Sequence, residues 1–129
     1  MRFRRDRRVR KRPDFQRAQR EGRRIATLHF VFVIAPCEDA SGGSRLGITA
    51  SRKVGNAVRR NRLKRLVREA FRATEGFLPA GFDLIVICKK DSPHLGCADV
   101  LAEWRRERHR IERCAQQLSK RREVQARLP

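Results

Sequence analysis

The sequence predicts an α+β domain, one sheet packed with helices, and three observations carry that expectation. Segments 28–36 and 45–51 alternate between two sets of residues at the two-residue period of a half-buried strand. Segment 82–90, FDLIVICKK, is almost continuously apolar, as an interior strand covered on both faces would be. Segments 56–75 and 99–120 repeat apolar residues every three or four positions, the period of a helix with one buried stripe. At 129 residues the chain has room for one core of useful size, so residues 1–129 are expected to form a single domain.

Taken in order, residues 1–12 read as a basic arm that is mobile when unbound. Pro13 and Asp14 suit the first turn of a helix over DFQRAQREG, which Gly22 ends. In the first strand Leu28, Phe30, Phe32 and Ile34 oppose His29, Val31, Val33 and Ala35, and Pro36 closes it. EDASGGS, residues 38–44, reads as a mobile connection. The second strand sets Leu46, Ile48 and Ala50 against Gly47, Thr49 and Ser51, and the two strands are expected to pair as an antiparallel hairpin. Gly55 and Asn56 open the second helix, because glycine allows a tight turn and asparagine caps well. The last helix carries Leu101, Trp104, Ile111, Ala115 and Leu118 at helical spacing, with mixed Arg and Glu outside, the pattern of a solvated face.

Charge is the dominant fact. The net charge is +19, from 33 Lys and Arg against 14 Asp and Glu. Residues 1–24 hold twelve cations against three acids, and residues 52–72 hold nine against one. Such self-repulsion opposes a compact state unless a polyanion neutralises it. Arginine outnumbers lysine 27 to 6, and its planar fork suits bidentate phosphate contacts and base stacking, which favours nucleic acid over a plain membrane surface. The basic start has no apolar h-region and is expected not to be a secretory signal; Asp6, Asp14 and the lack of serine also argue against a transit peptide. No apolar run reaches the roughly 18 residues of a membrane span. Cys37, Cys88, Cys97 and Cys114 form no CxxC and read as free thiols of a reducing cytoplasm.

The densest cationic stretch is NAVRRNRLKRLVREAFR, residues 56–72. On a helical wheel Leu63, Leu66, Val67, Ala70 and Phe71 make one apolar stripe that must face the sheet. Opposite lie Asn61, Arg65, Arg68 and Arg72, with Lys64 and Arg62 on the shoulders. Like charges three and four apart destabilise a helix by a few tenths of a kcal/mol each, so an unmixed ridge calls for phosphate. At the N-terminus Arg52, Lys53, Arg59 and Arg60 converge on backbone N–H groups that have no helical partner, an anion site of side chain and backbone together. Asn61 differs from the arginines in being able to accept a hydrogen bond, from a base edge or a ribose hydroxyl.

These residues carry a family resemblance. SRKVGNAVRRNRLKRLVRE, residues 51–69, resembles the signature of the bacterial ribonuclease P protein component, with its Arg-Asn-Arg core at Arg60-Asn61-Arg62. The likeness extends to DFQRAQREG, FVFV, RLGITAS and GFDLIVICKK. It implies a four-stranded, mostly antiparallel sheet packed with helices, like the second domain of ribosomal protein S5, with a left-handed βαβ crossover through the second helix. It further implies a protein subunit that binds the catalytic RNA subunit and the 5′ leader of precursor tRNA. The RNA subunit carries the chemistry together with Mg²⁺. On that resemblance Arg52, Lys53, Asn56, Arg59, Arg60, Asn61, Arg62, Lys64, Arg65 and Arg68 contact the RNA subunit. Phe15, Val31, Val33, Thr49 and Ser51 line the leader cleft, although ordinary core packing is the competing role for Phe15. Gln19 and Val33 stand where relatives can carry cleft aromatics, and base stacking is worth roughly 1–3 kcal/mol, so grip by charge and shape is expected instead.

Catalytic equipment is sparse in the chain itself. Only Glu38 and Asp39 are adjacent acids, whereas a metal-dependent nuclease needs clustered carboxylates. His94, Cys97 and Cys114 have poor spacing for zinc, and no catalytic residue, membrane or protein partner is expected. The rival readings are a ribosomal protein on the same scaffold and a DNA-binding regulator; the Arg-Asn-Arg signature opposes the first, the lack of helix-turn-helix spacing the second.

Overall fold

The computed structural model describes residues 8–9, 12–37, 44–74, 77–79, 81–90 and 92–127. Strand β4 (Phe82–Cys88) organises it, because six of its seven side chains are buried and it pairs on both sides. Its neighbours are β2 (Phe30–Pro36), antiparallel, and β3 (Arg45–Thr49), parallel. Short β1 (Arg23–Ala26) pairs antiparallel with the outer edge of β2, giving the order β1-β2-β4-β3. The continuous apolar run of β4 thus occupies the interior position that its sequence requires.

Four helices complete the described domain: α1 (Arg12–Glu21), α2 (Ala57–Ala73), α3 (Cys97–Arg106) and α4 (Arg108–Arg127). Helix α1 covers one face of the sheet, and α2, α3 and α4 cover the other. The larger core lies under the three helices. Phe30, Phe32, Ile34, Leu84 and Val86 point into it from the sheet, Leu63 and Val67 from α2, Trp104 from α3 and Ile111 from α4. Phe32 and Trp104 meet edge to face at 5.0 Å, a geometry that the ring quadrupoles favour. Under α1 the core is small: Val9, Ala18, Val33, Ala35 and Ile85, with Phe15, Val31 and Ile87 at its border.

Four expectations need correction. The strands β2 and β3 form no hairpin; β4 lies between them, and α2 is the crossover that brings β4 back parallel to β3. Alternation reports which face a strand buries, not which strand it pairs with. Strand β1 went unread because only Ile25 of RRIA is buried, and its turn to β2, Leu28-His29, has no glycine or asparagine. Leu28 is therefore 76 % exposed at the turn rather than in a strand. Ser51 falls beyond the end of β3. The single final helix is two, divided at Glu107, whose φ of −94° and ψ of 2° interrupt the helical ladder. Of the mobile connection expected at 38–44, residues 38–43 lie outside the described residues, as does most of the basic arm, and Ser44 is buried. Within the arm, Val9 is buried and donates its N–H to Leu46 O at 2.9 Å, so the chain just before α1 is tied to the free edge of β3.

Two buried carboxylates tie the layers together. Asp83, fully buried at the start of β4, accepts from Arg45 Nε and Nη2 at 2.8 Å each and from Arg17 Nη2 at 2.9 Å. These bonds raise the Arg45 guanidinium further above its ordinary value. Glu103 of α3 accepts from the Thr27 hydroxyl at 2.7 Å and the His29 N–H at 3.1 Å, and its other oxygen meets His29 Nδ1 at 2.6 Å. Burial pushes the Glu103 carboxyl upward, but its His29 and Thr27 partners outweigh burial and hold it below the ordinary value.

Replacing Asp83 by Ala leaves two arginines without their shared acid. The expected loss is about 3 kcal/mol, near the low end for breaking a buried pair because Arg17 keeps part of its surface in water. Urea denaturation should show the midpoint falling accordingly. For Glu103 the depressed pKa makes its contribution present above the unfolded-state pKa, about 4.3, and lost as pH falls through the lower folded value. Glu103→Gln should therefore be less stable than the parent at neutral pH, with the gap narrowing below about pH 4 in a thermal-melt series.

Candidate nucleic-acid interface

The α2 ridge begins at a built turn. Val54 N–H donates to Ser51 O at 3.0 Å, and Gly55 takes φ 154°, a conformation that side-chain-bearing residues rarely adopt. A Cβ there would come within 3.1 Å of Arg59 Cδ. Asn56 then caps the helix: its side-chain oxygen accepts from Arg59 N–H at 2.9 Å. The cap consumes that donor, which leaves the N–H groups of Ala57 and Val58 at this helix end, in a segment where Arg52, Lys53 and Arg59 are all exposed.

Downstream the wheel is largely borne out. Leu63, Val67, Ala70 and Phe71 are buried and Leu66 is half-buried against the core. Asn61, Arg65 and Arg72 face outward and are exposed. Arg60, Lys64 and Arg68, one turn apart from each other, form a half-buried row. Arg60 Nε is buried and meets no hydrogen-bond partner among the described residues. Lys64 lies close enough to Cys88 to favour its thiolate, although burial dominates and pushes that thiol up to about 12. Arg68 departs from its expected outward position. Burial, with the Arg8 guanidinium beside it, pushes Arg68 below its ordinary value, because the arm tied to β3 brings Arg8 to this flank. On the opposite flank Arg62 Nη1 donates to Leu95 O at 3.1 Å, which holds that arginine against the loop before α3.

The second surface is a cavity of about 460 Å³ between α1 and the sheet, lined by Arg12, Phe15, Gln16, Gln19 and Thr49. Thr49 is the sheet residue in its lining, and in the register beside it Val31 and Thr49 both pair with Ile87, while Ala26 extends the row across β1. The Phe15 ring packs on the small core and also borders the cavity. Gly47 makes this possible, since a Cβ there would sit 3.0 Å from the Phe15 ring and 2.7 Å from Ile85 Cδ1. Val31 is half-buried and accessible, and Ser51 is exposed past the end of β3. Val33 needs correction: it is fully buried in the core under α1 and offers no surface to a ligand in this structure. Sequence reasoning missed Arg12 and Gln16, whose helical spacing from Phe15 and Gln19 was the available signal.

Among the described residues no group of three His, Cys, Asp or Glu side chains is placed to hold a metal ion, and none of the four cysteines forms a disulfide. No described helix is long and apolar enough to cross a membrane.

Sheet, crossover helix and unmixed cationic ridge define a small basic α+β protein with the charge pattern of a nucleic-acid binder. Residues 3–112 match the family model of ribonuclease P. The chain belongs to the bacterial ribonuclease P protein family. It is 40% identical over 96 residues to the ribonuclease P protein component of Syntrophus aciditrophicus, covering 74% of this chain and 79% of that one. Against the homologue from Desulfatibacillum aliphaticivorans it is 46% identical over 85 residues, 66% and 70% of the two chains. Among solved structures, the RNase P protein from Thermotoga maritima superposes with a TM-score of 0.69 at 35% identity, covering 82% of this chain and 96% of that one. The Staphylococcus aureus protein gives 0.67 at 33%, with 78% and 90% covered.

Asn56→Ala should cost about 1 kcal/mol, the usual loss for an N-cap, whereas Asn56→Asp should keep the cap. Thermal melts of the two variants check this, and equal losses would mean that the cap is not what Asn56 contributes.

Proposed function

We propose that this chain is the protein subunit of ribonuclease P, binding the catalytic RNA subunit along α2 and the 5′ leader of precursor tRNA in the cavity beside α1. The observation that carries this reading is the α2 ridge itself: seven cations and one acid on residues 56–72, above a stripe buried in the core. A solvated helix mixes its charges, as α4 does where Arg108 pairs with Glu112 at 2.9 Å and Arg110 with Glu107 just before the helix at 2.8 Å. Ridge cations such as Arg59 and Arg65 have room to form bidentate bonds with phosphates. Asn61, among them and exposed, offers both donor and acceptor to a base edge or a 2′-hydroxyl. Membership in the family supports the RNA subunit as the partner.

Leader binding rests on the shape and chemistry of the cavity. Thr49 and the neighbouring row of Val31 and Ile87 carry small or aliphatic side chains beside which bases fit, and Arg12, Gln16 and Gln19 on the α1 wall supply charge and hydrogen bonds to the backbone. One aromatic, Phe15, is available for stacking among the lining residues. Cleavage chemistry belongs to the RNA subunit, which on this reading binds the Mg²⁺ that supports the reaction. The protein residues contribute binding and orientation, and the cytoplasm is where the complex acts.

Purified protein added to the RNA subunit at low Mg²⁺ should raise the rate of 5′ leader removal; no gain would overturn the proposal. Replacing exposed Arg59 and Arg65 by Ala should weaken binding of the RNA subunit while the circular-dichroism spectrum stays unchanged. The log–log salt dependence should lose about one unit of slope per cation removed. An unchanged slope would place those side chains away from phosphate.

A further inference from the structure

The apolar stripe of α4 stops before the helix does. Ile111, Ala115 and Leu118 are buried, and the helix then continues to Arg127 without another buried residue among those described. Val124 is 59 % exposed, so these last turns are not there to fill the core. Their charges also change character. In the first turns Arg108 and Arg110 each pair with an acid one turn away. Lys120 and Arg121 are exposed, and among the described residues neither pairs with an acid. The sequence here, SKRREV, places three cations in a row before its one glutamate. Residues 113–127 also lie beyond the family match, which ends at 112.

The fold sets where this segment emerges. Arg23 Nη1 donates to Gln117 Oε1, which holds that turn of α4 against the edge strand β1. Arg24, the next residue, faces the opposite side of the sheet, in register with Val33 beneath α1, and is exposed. The chain passes directly from the end of α1 through Gly22 into β1, so exposed Arg20 adjoins the same corner. Gln19, which lines the cavity, is the residue before it. The α1 flank therefore leads from Arg12 and Thr49 past Gln19 to Arg20 and Arg24, and around the β1 edge to Lys120 and Arg121.

We propose that the last turns of α4 and the β1 edge form a second phosphate-binding surface, which takes single-stranded RNA leaving the α1 cavity. Its ligand is the continuation of the precursor leader, so the inference rests on the leader-binding reading above. Recognition is of backbone charge: the surface offers guanidinium and ammonium donors and has no aromatic side chain among the residues named.

The test uses the reconstituted holoenzyme and two precursor tRNAs, one with a leader just long enough to fill the cavity and one several nucleotides longer. The charge-reversed variant K120E/R121E should bind the short-leader precursor as the parent does. It should bind the long-leader precursor about ten-fold more weakly, the scale of losing two exposed charge-assisted contacts. K120R/R121K should restore the parental affinity, and unchanged melting temperatures should confirm that both variants fold. Equal affinity for the long leader in parent and K120E/R121E would overturn the proposal. So would an equal loss on both precursors, which would place these cations on the RNA subunit or the tRNA body. A parent holoenzyme that fails to distinguish a leader-bearing precursor from mature tRNA would instead refute leader binding itself.

Discussion

Asp83 has no exposed surface and accepts hydrogen bonds from two arginines that belong to different elements, Arg45 on β3 and Arg17 on α1. A lone buried carboxylate would be prohibitively costly, so its position requires both partners. Geometry follows from that requirement. Arg45 lies beside Asp83 because β3 runs parallel to β4 in the register Arg45↔Asp83. Arg17 reaches it only if α1 crosses the sheet over β4. With α1 so fixed, Phe15 falls on Gly47 and Gln19 lies beside the open row of Val31, Ile87 and Thr49. The cavity is thus what α1 leaves uncovered once its ion pair and its small core are satisfied.

The division of the sheet into unequal faces has a related origin. On the helix-covered side Phe30, Phe32 and Ile34 oppose Trp104, Ile111 and Leu63, large side chains that carry most of the hydrophobic stabilisation. Under α1 the buried residues are Val, Ala and Ile, and one helix of ten residues covers them. A small core keeps the far end of that face open. Stability is concentrated on one side, and the other keeps open surface.

What the sequence made legible was whatever depends on local pattern. The run FDLIVIC is apolar without alternation because both its faces are buried, and α2 shows its buried stripe and its ridge because both repeat at the helical period. Pairing was not legible. Nothing within 28–51 records that β4, more than thirty residues later, will insert between β2 and β3. The same limit applies to Arg68: the wheel gives an angle on α2, but not the arm that brings Arg8 against that flank. Val33 failed for a third reason. It shares a face with Val31, and alternation cannot say how far along a strand a covering helix extends.

The two candidate surfaces meet at one strand. Strand β3 is an edge strand, and its residues alternate between the sides of the sheet: Thr49 borders the cavity, and Leu46 and Ile48 pack toward α2. The chain then turns through Ser51, Arg52 and Lys53 into the cap of α2. The cavity and the N-terminal end of the ridge are therefore joined through one short turn, on opposite sides of the sheet. Strand β3 is itself tied down on both edges, by Val9 to Leu46 and by Arg45 to buried Asp83. On the proposed reading the leader and the RNA subunit are held in fixed relation by β3. On that reading β3 and the turn that follows it set the distance between the two RNAs.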